Sequence, residues 1–195
     1  MTRVSTPRSR AKQDRQTALL REAARLFAAR GFSAVSLEEI GAAVGVSGPA
    51  VYRHFAGKQA LLGALLVQVS QKLRDGGREV IDAHTEPAAR VEALIGFHVD
   101  FALGHPDVIR VQDQDAAHLR DEDYAAVRDL QREYIEMWIR AIEPLVAEDR
   151  SARRLRVQAC FGLINSTPHS TSATTRASRA TANVLSRMAS AALLA

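Results

Sequence analysis

What this sequence lacks narrows its function before any motif is read. A single cysteine, Cys160, stands among 195 residues, which excludes an internal disulfide framework and a multi-cysteine zinc site. Cys160 reads as a small apolar core residue rather than a reactive thiol. No stretch approaches the roughly 20 uncharged apolar residues of a membrane-spanning helix, and no apolar run of the secretory kind opens the chain, so a cytoplasmic location is expected. No segment alternates apolar and polar residues like a half-buried strand. A nucleophile elbow, a phosphate-cradling glycine loop and an HExxH helix are all missing, and Ser, His and Asp occur without diagnostic spacing. Neither a catalytic residue, a cofactor nor a metal is therefore expected.

What is present is an ordinary globular composition, 47% hydrophobic and 25% charged, which supports a packed core. The net charge of +4 is unevenly spread. Residues 1–58 hold ten Lys/Arg against four Asp/Glu, and residues 59–195 hold sixteen against eighteen. A positive front on a near-neutral body suits a polyanion at one end, because each phosphate contact releases condensed counterions.

Residues 1–11 are polar, basic and interrupted by Pro7, and are expected to form a flexible basic arm. From 12 to 30, Leu19, Leu20, Ala23, Leu26 and Phe27 recur at helical spacing, and Gly31 sits where a C-terminal cap belongs. Ser36-Leu37-Glu38-Glu39 fits a capping box and starts a short helix over 37–44. Gly45-Val46 makes a turn, Ser47 is placed to cap a third helix, and Pro49 falls in its first turn, where a missing amide hydrogen costs little. That helix carries Ala50, Val51, Tyr52, Arg53, His54 and Phe55. Further helices are expected over 59–82, 87–103, 107–117, 121–142, 149–165 and 175–194, with a Ser/Thr-rich break at 166–174. The result is an all-α chain of nine helices: an arm at 1–11, a DNA-binding unit at 12–58 and a larger unit at 59–195.

Two short helices joined by a glycine-containing turn have the geometry of a DNA-reading helix-turn-helix. Val46 and Val51 anchor the turn and leave Ser47, Gly48, Tyr52, Arg53 and His54 facing outward. Ser47 and the helix N-terminus can hold a backbone phosphate, and Gly48 lets the duplex come close. Tyr52 and Lys58 are assigned to phosphates. Arg53 suits a guanine edge and the Ala50 methyl a thymine methyl. Ser36, at the start of the second helix, and Pro49 complete the set.

The run from Leu19 through Gly31-Phe32, then Ser36 to Ile40, then Gly45-Val46-Ser47-Gly48-Pro49-Ala50-Val51-Tyr52-Arg53-His54-Phe55 and on to Leu62, resembles the DNA-binding domain of tetracycline-repressor (TetR) type regulators. The resemblance covers about residues 15–62. It implies an all-helical homodimer that binds operator DNA, a larger C-terminal domain holding a ligand pocket, and pairing through the last two helices. It also implies that Tyr52, His54 and Lys58 hold phosphates, and that the protein acts as a repressor. Gly48 and Ala50 depart from the longer or hydroxyl-bearing side chains of many members, so shape readout and the basic arm are expected to carry more of the specificity.

Beyond about residue 63 no motif stands out. Phe97, Phe101, Tyr134, Trp138 and Phe161 fall on expected inner faces, either as ordinary core or as the wall of a pocket. His98, Gln112, Gln114, Asn165 and His169 are the polar candidates for contact with a small-molecule effector of unknown identity. Asp113, Asp115 and His118 have a spacing that metal ligands could use, but read better as a solvated acidic face. The last helix repeats Ala177, Ala180, Val184, Met188 and Ala191, an apolar face built largely from small residues and suited to pairing with a second copy, the alternative being packing within the chain. The rival to a ligand-responsive repressor is an architectural DNA-binding protein that shares the front domain and lacks a pocket.

Overall fold

The apolar spacing of the first segment folds it as helix α1 (Pro7–Arg30), with Leu19, Leu20, Ala23 and Phe27 buried. The computed structural model describes residues 7–195, with side chains described from Arg10 onward. The expected arm at 1–11 thus lies outside the described residues up to position 6, while residues 7–11 are helical rather than irregular. Pro7 stands at the helix start, where its fixed φ suits the first turn.

Helices α2 (Leu37–Ala43) and α3 (Gly48–Val51) follow. The third helix is shorter than expected: Tyr52 is its C-cap, and a turn carries the chain through His54. Next come α4 (Lys58–Ala83), α5 (Pro87–Gly104) and α6 (Pro106–Asp115), the last extended by a 3-10 turn at Ala116–His118. The remaining helices are α7 (Asp121–Ile142), α8 (Arg150–Asn165), α9 (Thr167–Ser170), α10 (Ala173–Arg176) and α11 (Arg179–Leu194). The expected count of nine misses α9 and α10, single turns inside the Ser/Thr-rich stretch. Pro168 in the first turn of α9 and the Ser172 hydroxyl, which accepts from the Thr175 amide at 3.2 Å in α10, are local caps that a search for long apolar periodicity passes over. They also delay the final helix to Arg179, so Ala177 leaves its stripe.

Two apolar cores organise these elements. The first joins Leu19, Phe27, Ile40 and Val51 with Leu61, Leu62 and Leu66 of α4, and also with Val111 of α6 and Val127 of α7. The second gathers Leu94, Tyr134, Trp138, Cys160, Ile164, Leu185 and Leu193. The expected boundary at 58/59 is therefore no break in packing. The opening turns of α4 belong to the front core, and α6 reaches into it.

Candidate nucleic-acid interface and ligand cavity

The front of the molecule is shaped by caps and close approaches. The Ser36 hydroxyl accepts from the Glu39 amide at 3.1 Å while Glu39 accepts from the Ser36 amide at 2.8 Å, the reciprocal pair of a capping box. Arg30 binds the same carboxylate at 2.7 Å. The Glu39 pKa is lowered to about 2, by Arg30 first and by Ser36 next. Gly45 turns the chain with φ +69°, a left-handed conformation that suits glycine. At Gly41 a Cβ would meet Val51 Cγ2 at 2.5 Å and the Val46 carbonyl at 2.7 Å. The small residue thus allows α2 and α3 to touch.

This scaffold leaves one face exposed. Val46 and Val51 are buried, while Ser47, Pro49, Tyr52 and Arg53 are exposed, and Gly48, Ala50 and His54 are half-buried. Ser47 is the N-cap of α3, yet its hydroxyl makes no capping bond and is free for an outside acceptor. Tyr52, 53% exposed, donates its hydroxyl to Glu38 at 3.3 Å. His54 has a buried Nδ1 with no partner. Its pKa is lowered, mainly by burial and then by the charges of Lys12, Arg15 and Arg53. Three cations therefore crowd one imidazole. Lys12 and Arg15 escaped the sequence reading, although their i, i+3 spacing puts both on one face of α1.

Lys58, expected to hold a phosphate, has its ammonium turned inward. Its ammonium donates to the carbonyls of Phe32 at 2.7 Å, Val35 at 2.8 Å and Ser33 at 3.4 Å, and it lies 4.4 Å from the centre of the Phe32 ring. All three of its protons are engaged, so it clips the corner between α1 and α2 onto α4. The Phe32 amide, in turn, donates to Asp115 Oδ1 at 3.1 Å. Phe32 is thus gripped by α4 through its carbonyl and by α6 through its amide. His118 lies tilted against the Phe32 ring at 4.7 Å between centroids, and its own carbonyl accepts from Gln59 at 3.2 Å.

The solvated acidic face expected of Asp113, Asp115 and His118 holds for Asp113 alone. Asp115 is buried on Phe32, His118 lies against the same ring, and Asp113 faces His169 at 3.0 Å. No group of three His, Cys, Asp or Glu poised for a metal occurs among the described residues.

Behind the reading head lies a cavity of about 230 Å³ bounded by α4 to α8. Six of the ten expected ligand residues line it: His98, Phe101, Gln112, Tyr134, Phe161 and Asn165. Four do not. Phe97 is turned toward α4, where its ring fills the space a side chain at Gly76 would need. Trp138 is fully buried behind the wall, 5.0 Å edge-on to Phe161. His169 is at the surface with Asp113. Gln114 is exposed as well. The reading missed Ser70, Leu73, Ile109, Gln131, Ile135 and Gln158, which complete the lining. Ser70 was hidden in a leucine-rich run, and Gln131 and Gln158 look like surface residues until the helix rotations are known.

His98 is 3% exposed. It stacks on Phe161 at 4.6 Å, and its Nδ1 lies 3.4 Å from the Tyr134 hydroxyl. Burial lowers its pKa to about 4, opposed weakly by Asn165, so the imidazole is neutral at pH 7. Burial also raises the Tyr134 phenol, and it pushes Cys160 up to about 12, which leaves that thiol unreactive.

A helix-turn-helix with an uncapped serine and a basic rim, on an all-helical body with an internal cavity, defines a DNA-binding transcriptional regulator. Two family models agree: "Bacterial regulatory proteins, tetR family" matches residues 19–65, and "Tetracyclin repressor-like, C-terminal domain" matches residues 84–169. The chain belongs to the TetR family of transcriptional regulators, a non-enzymatic family. A curated relative, the HTH-type transcriptional repressor KstR2 of Rhodococcus jostii, is 26% identical over 80% of this chain and 77% of its own length. A TetR-family regulator from Bordetella parapertussis superposes with a TM-score of 0.80 at 24% identity, covering 91% of this chain and 93% of that one. The ketosteroid transcriptional regulator KstR2 of Mycobacterium tuberculosis superposes at 0.74 with 22% identity, over 92% and 93% of the two chains. No helix among the described residues is long and apolar enough to cross a membrane.

Proposed function

We propose that this protein is a homodimeric repressor that leaves its operator when a small amphipathic effector fills the cavity. The observation that carries the reading is the span of α6. Its Ile109 and Gln112 line the cavity, and its Asp115, three residues beyond Gln112, grips the Phe32 amide at the base of the reading head. A ligand that shifts α6 therefore pulls on the corner that orients α1 and α2, with Lys58 holding the same corner from α4. The effector acts by binding one orientation of this joint better than the other.

In the DNA-bound state, Ser47, Gly48 and the N-terminus of α3 meet a phosphate, and Ser36 and Tyr52 flank it. Arg53 reads a base edge, Pro49 and Ala50 offer apolar contact, and His54 with Lys12 and Arg15 holds the neighbouring strand. The repressor assignment follows the curated relative.

Pairing of two copies uses α8 and α11. Helix α11 buries Leu185, Ala189 and Leu193 within its own chain, yet leaves Val184 44% and Met188 49% exposed, and α8 presents Leu155 at 68%. Ala180 and Ala191 are exposed on the same helix as Val184 and Met188, a second apolar face that a copy of the chain would cover. An architectural DNA-binding protein without a ligand gives no reason for a cavity lined by unpaired buried polar atoms.

The test is to select operator fragments from genomic DNA with the purified protein, then screen metabolites for release. Release by a compound that also raises the melting temperature supports the reading. An Asp115→Ala protein that still binds both DNA and compound, but no longer couples them, locates the joint. Full coupling in that variant removes α6 from the mechanism.

A further inference from the structure

The cavity wall carries no Lys, Arg, Asp or Glu, although a quarter of the chain is charged. Its polar groups are hydroxyls, carboxamides and one imidazole. A carboxylate, phosphate or ammonium entering such a space would lose its hydration and gain no counter-ion. The single group able to become a cation is His98, and nothing charged acts on it; burial, with Asn165 in weak opposition, sets its protonation. Charging it to meet an anion at pH 7 would cost about a thousandfold in affinity, the three pH units between 7 and its pKa of about 4.

Two buried polar atoms of this wall, His98 Nε2 and Asn165 Oδ1, make no hydrogen bond of normal length, although they lie close enough for Asn165 to act on the imidazole. Buried polar groups are normally hydrogen-bonded, so an orphaned pair at a cavity wall marks where a ligand atom belongs. With the Tyr134 hydroxyl, 3.4 Å from His98 Nδ1, taken as the donor of that contact, the ring proton falls on Nε2 and makes it a donor. Asn165 Oδ1 is an acceptor. The Phe161 ring stacked on His98 at 4.6 Å and Phe101 supply flat apolar walls beside them.

We propose that the cavity takes an uncharged, oxygen-bearing amphipathic molecule whose carbonyl or hydroxyl oxygen accepts from His98 Nε2–H and whose apolar body lies along Phe101 and Phe161. A hydroxyl satisfies both orphans, accepting from His98 and donating to Asn165. A ketone satisfies the first alone. This rests on the reading of the cavity as the effector site.

The chain has one tryptophan, Trp138, and it packs edge-on to Phe161 at 5.0 Å, so its fluorescence reports directly on occupancy. The full-length protein is titrated at pH 7 with four probes on one skeleton: 1-decalol, 1-decalone, decalin-1-carboxylic acid and 1-decalylamine. The alcohol and the ketone should bind at least a hundredfold tighter than the acid and the amine. His98→Phe, which keeps the stack, should weaken both neutral probes about tenfold. Asn165→Leu should weaken the alcohol severalfold and leave the ketone unchanged, a split that general damage to the fold would not produce. Acid or amine binding as tightly as the ketone overturns the neutral-ligand proposal and leaves the effector reading standing, as does indifference of the neutral probes to both substitutions. Failure of all four probes to perturb Trp138 in folded protein overturns the proposal and the effector reading together.

Discussion

The reading head and the cavity are joined by one short helix, α6, and are built from opposite chemistry. At the head, Lys12, Arg15 and Arg53 surround His54 and depress its pKa together with burial. In the cavity, His98 is depressed further with no charge acting on it at all. The first imidazole waits for an anion that would relieve crowding by cations. The second is kept neutral by burial at a cavity wall without charged side chains, which suits the uncharged ligand proposed for it. The contrast teaches that one residue type is tuned by surrounding cations at a surface and by burial alone inside, and that α6 touches both regions.

The comparison can be broken most forcefully at the head. Gly41→Val places a side chain against Val51 and the Val46 carbonyl and should cost about 3 kcal/mol in the front core. Specific DNA binding should disappear while Trp138 still responds to cavity ligands; loss of both responses would mean that the two regions fold as one unit. A comparable effect is expected from pH at the other end. The unfolded chain binds a proton on His98 near the ordinary imidazole value of 6.5, whereas the native chain binds it only near 4. Stability contributed by the neutral imidazole is therefore complete above pH 6.5 and falls between 6.5 and 4, by about 3 kcal/mol in all. Chemical denaturation across that window should show a loss that His98→Phe reduces, leaving the part due to His54.

At the joint, Asp115→Ala leaves the Phe32 amide without its buried partner and should cost about 2 kcal/mol, seen as a lower melting temperature. Lys58→Met releases three carbonyls and should cost about 1 kcal/mol, with DNA affinity falling equally for all sequences. Arg53→Ala should leave stability unchanged and reduce preference for the operator over random DNA by about tenfold. Equal losses on both kinds of DNA would move Arg53 from base reading to phosphate holding.

The head was more legible in the sequence than the cavity, for physical reasons. Ser36 with Glu39, Gly45, Ser47 and Pro49 are local signals whose meaning depends on neighbours three or four residues away, and the structure has the capping box and turn where those residues stand. Lys58 was misplaced because its partners, Phe32, Ser33 and Val35, lie more than twenty residues earlier, and no local pattern reveals carbonyls left free by a helix end. The cavity depends on how five helices rotate against one another. His98 beside Phe97 illustrates this: adjacent on α5, one faces the cavity and the other packs on α4. An aromatic stripe therefore indicated that the region is internal without indicating which rings border empty space. The terminal helix was read on its uncovered side, since Val184 and Met188 are exposed and Leu185, Ala189 and Leu193 fill the core.

The account depends above all on a reading head that meets duplex phosphates, and salt is the direct probe of it. Affinity for a random-sequence duplex, followed by anisotropy as salt is raised, should fall linearly on logarithmic axes, with a slope of about −0.9 for every phosphate held. Binding to duplex DNA that is absent, or that does not change with salt, would contradict it.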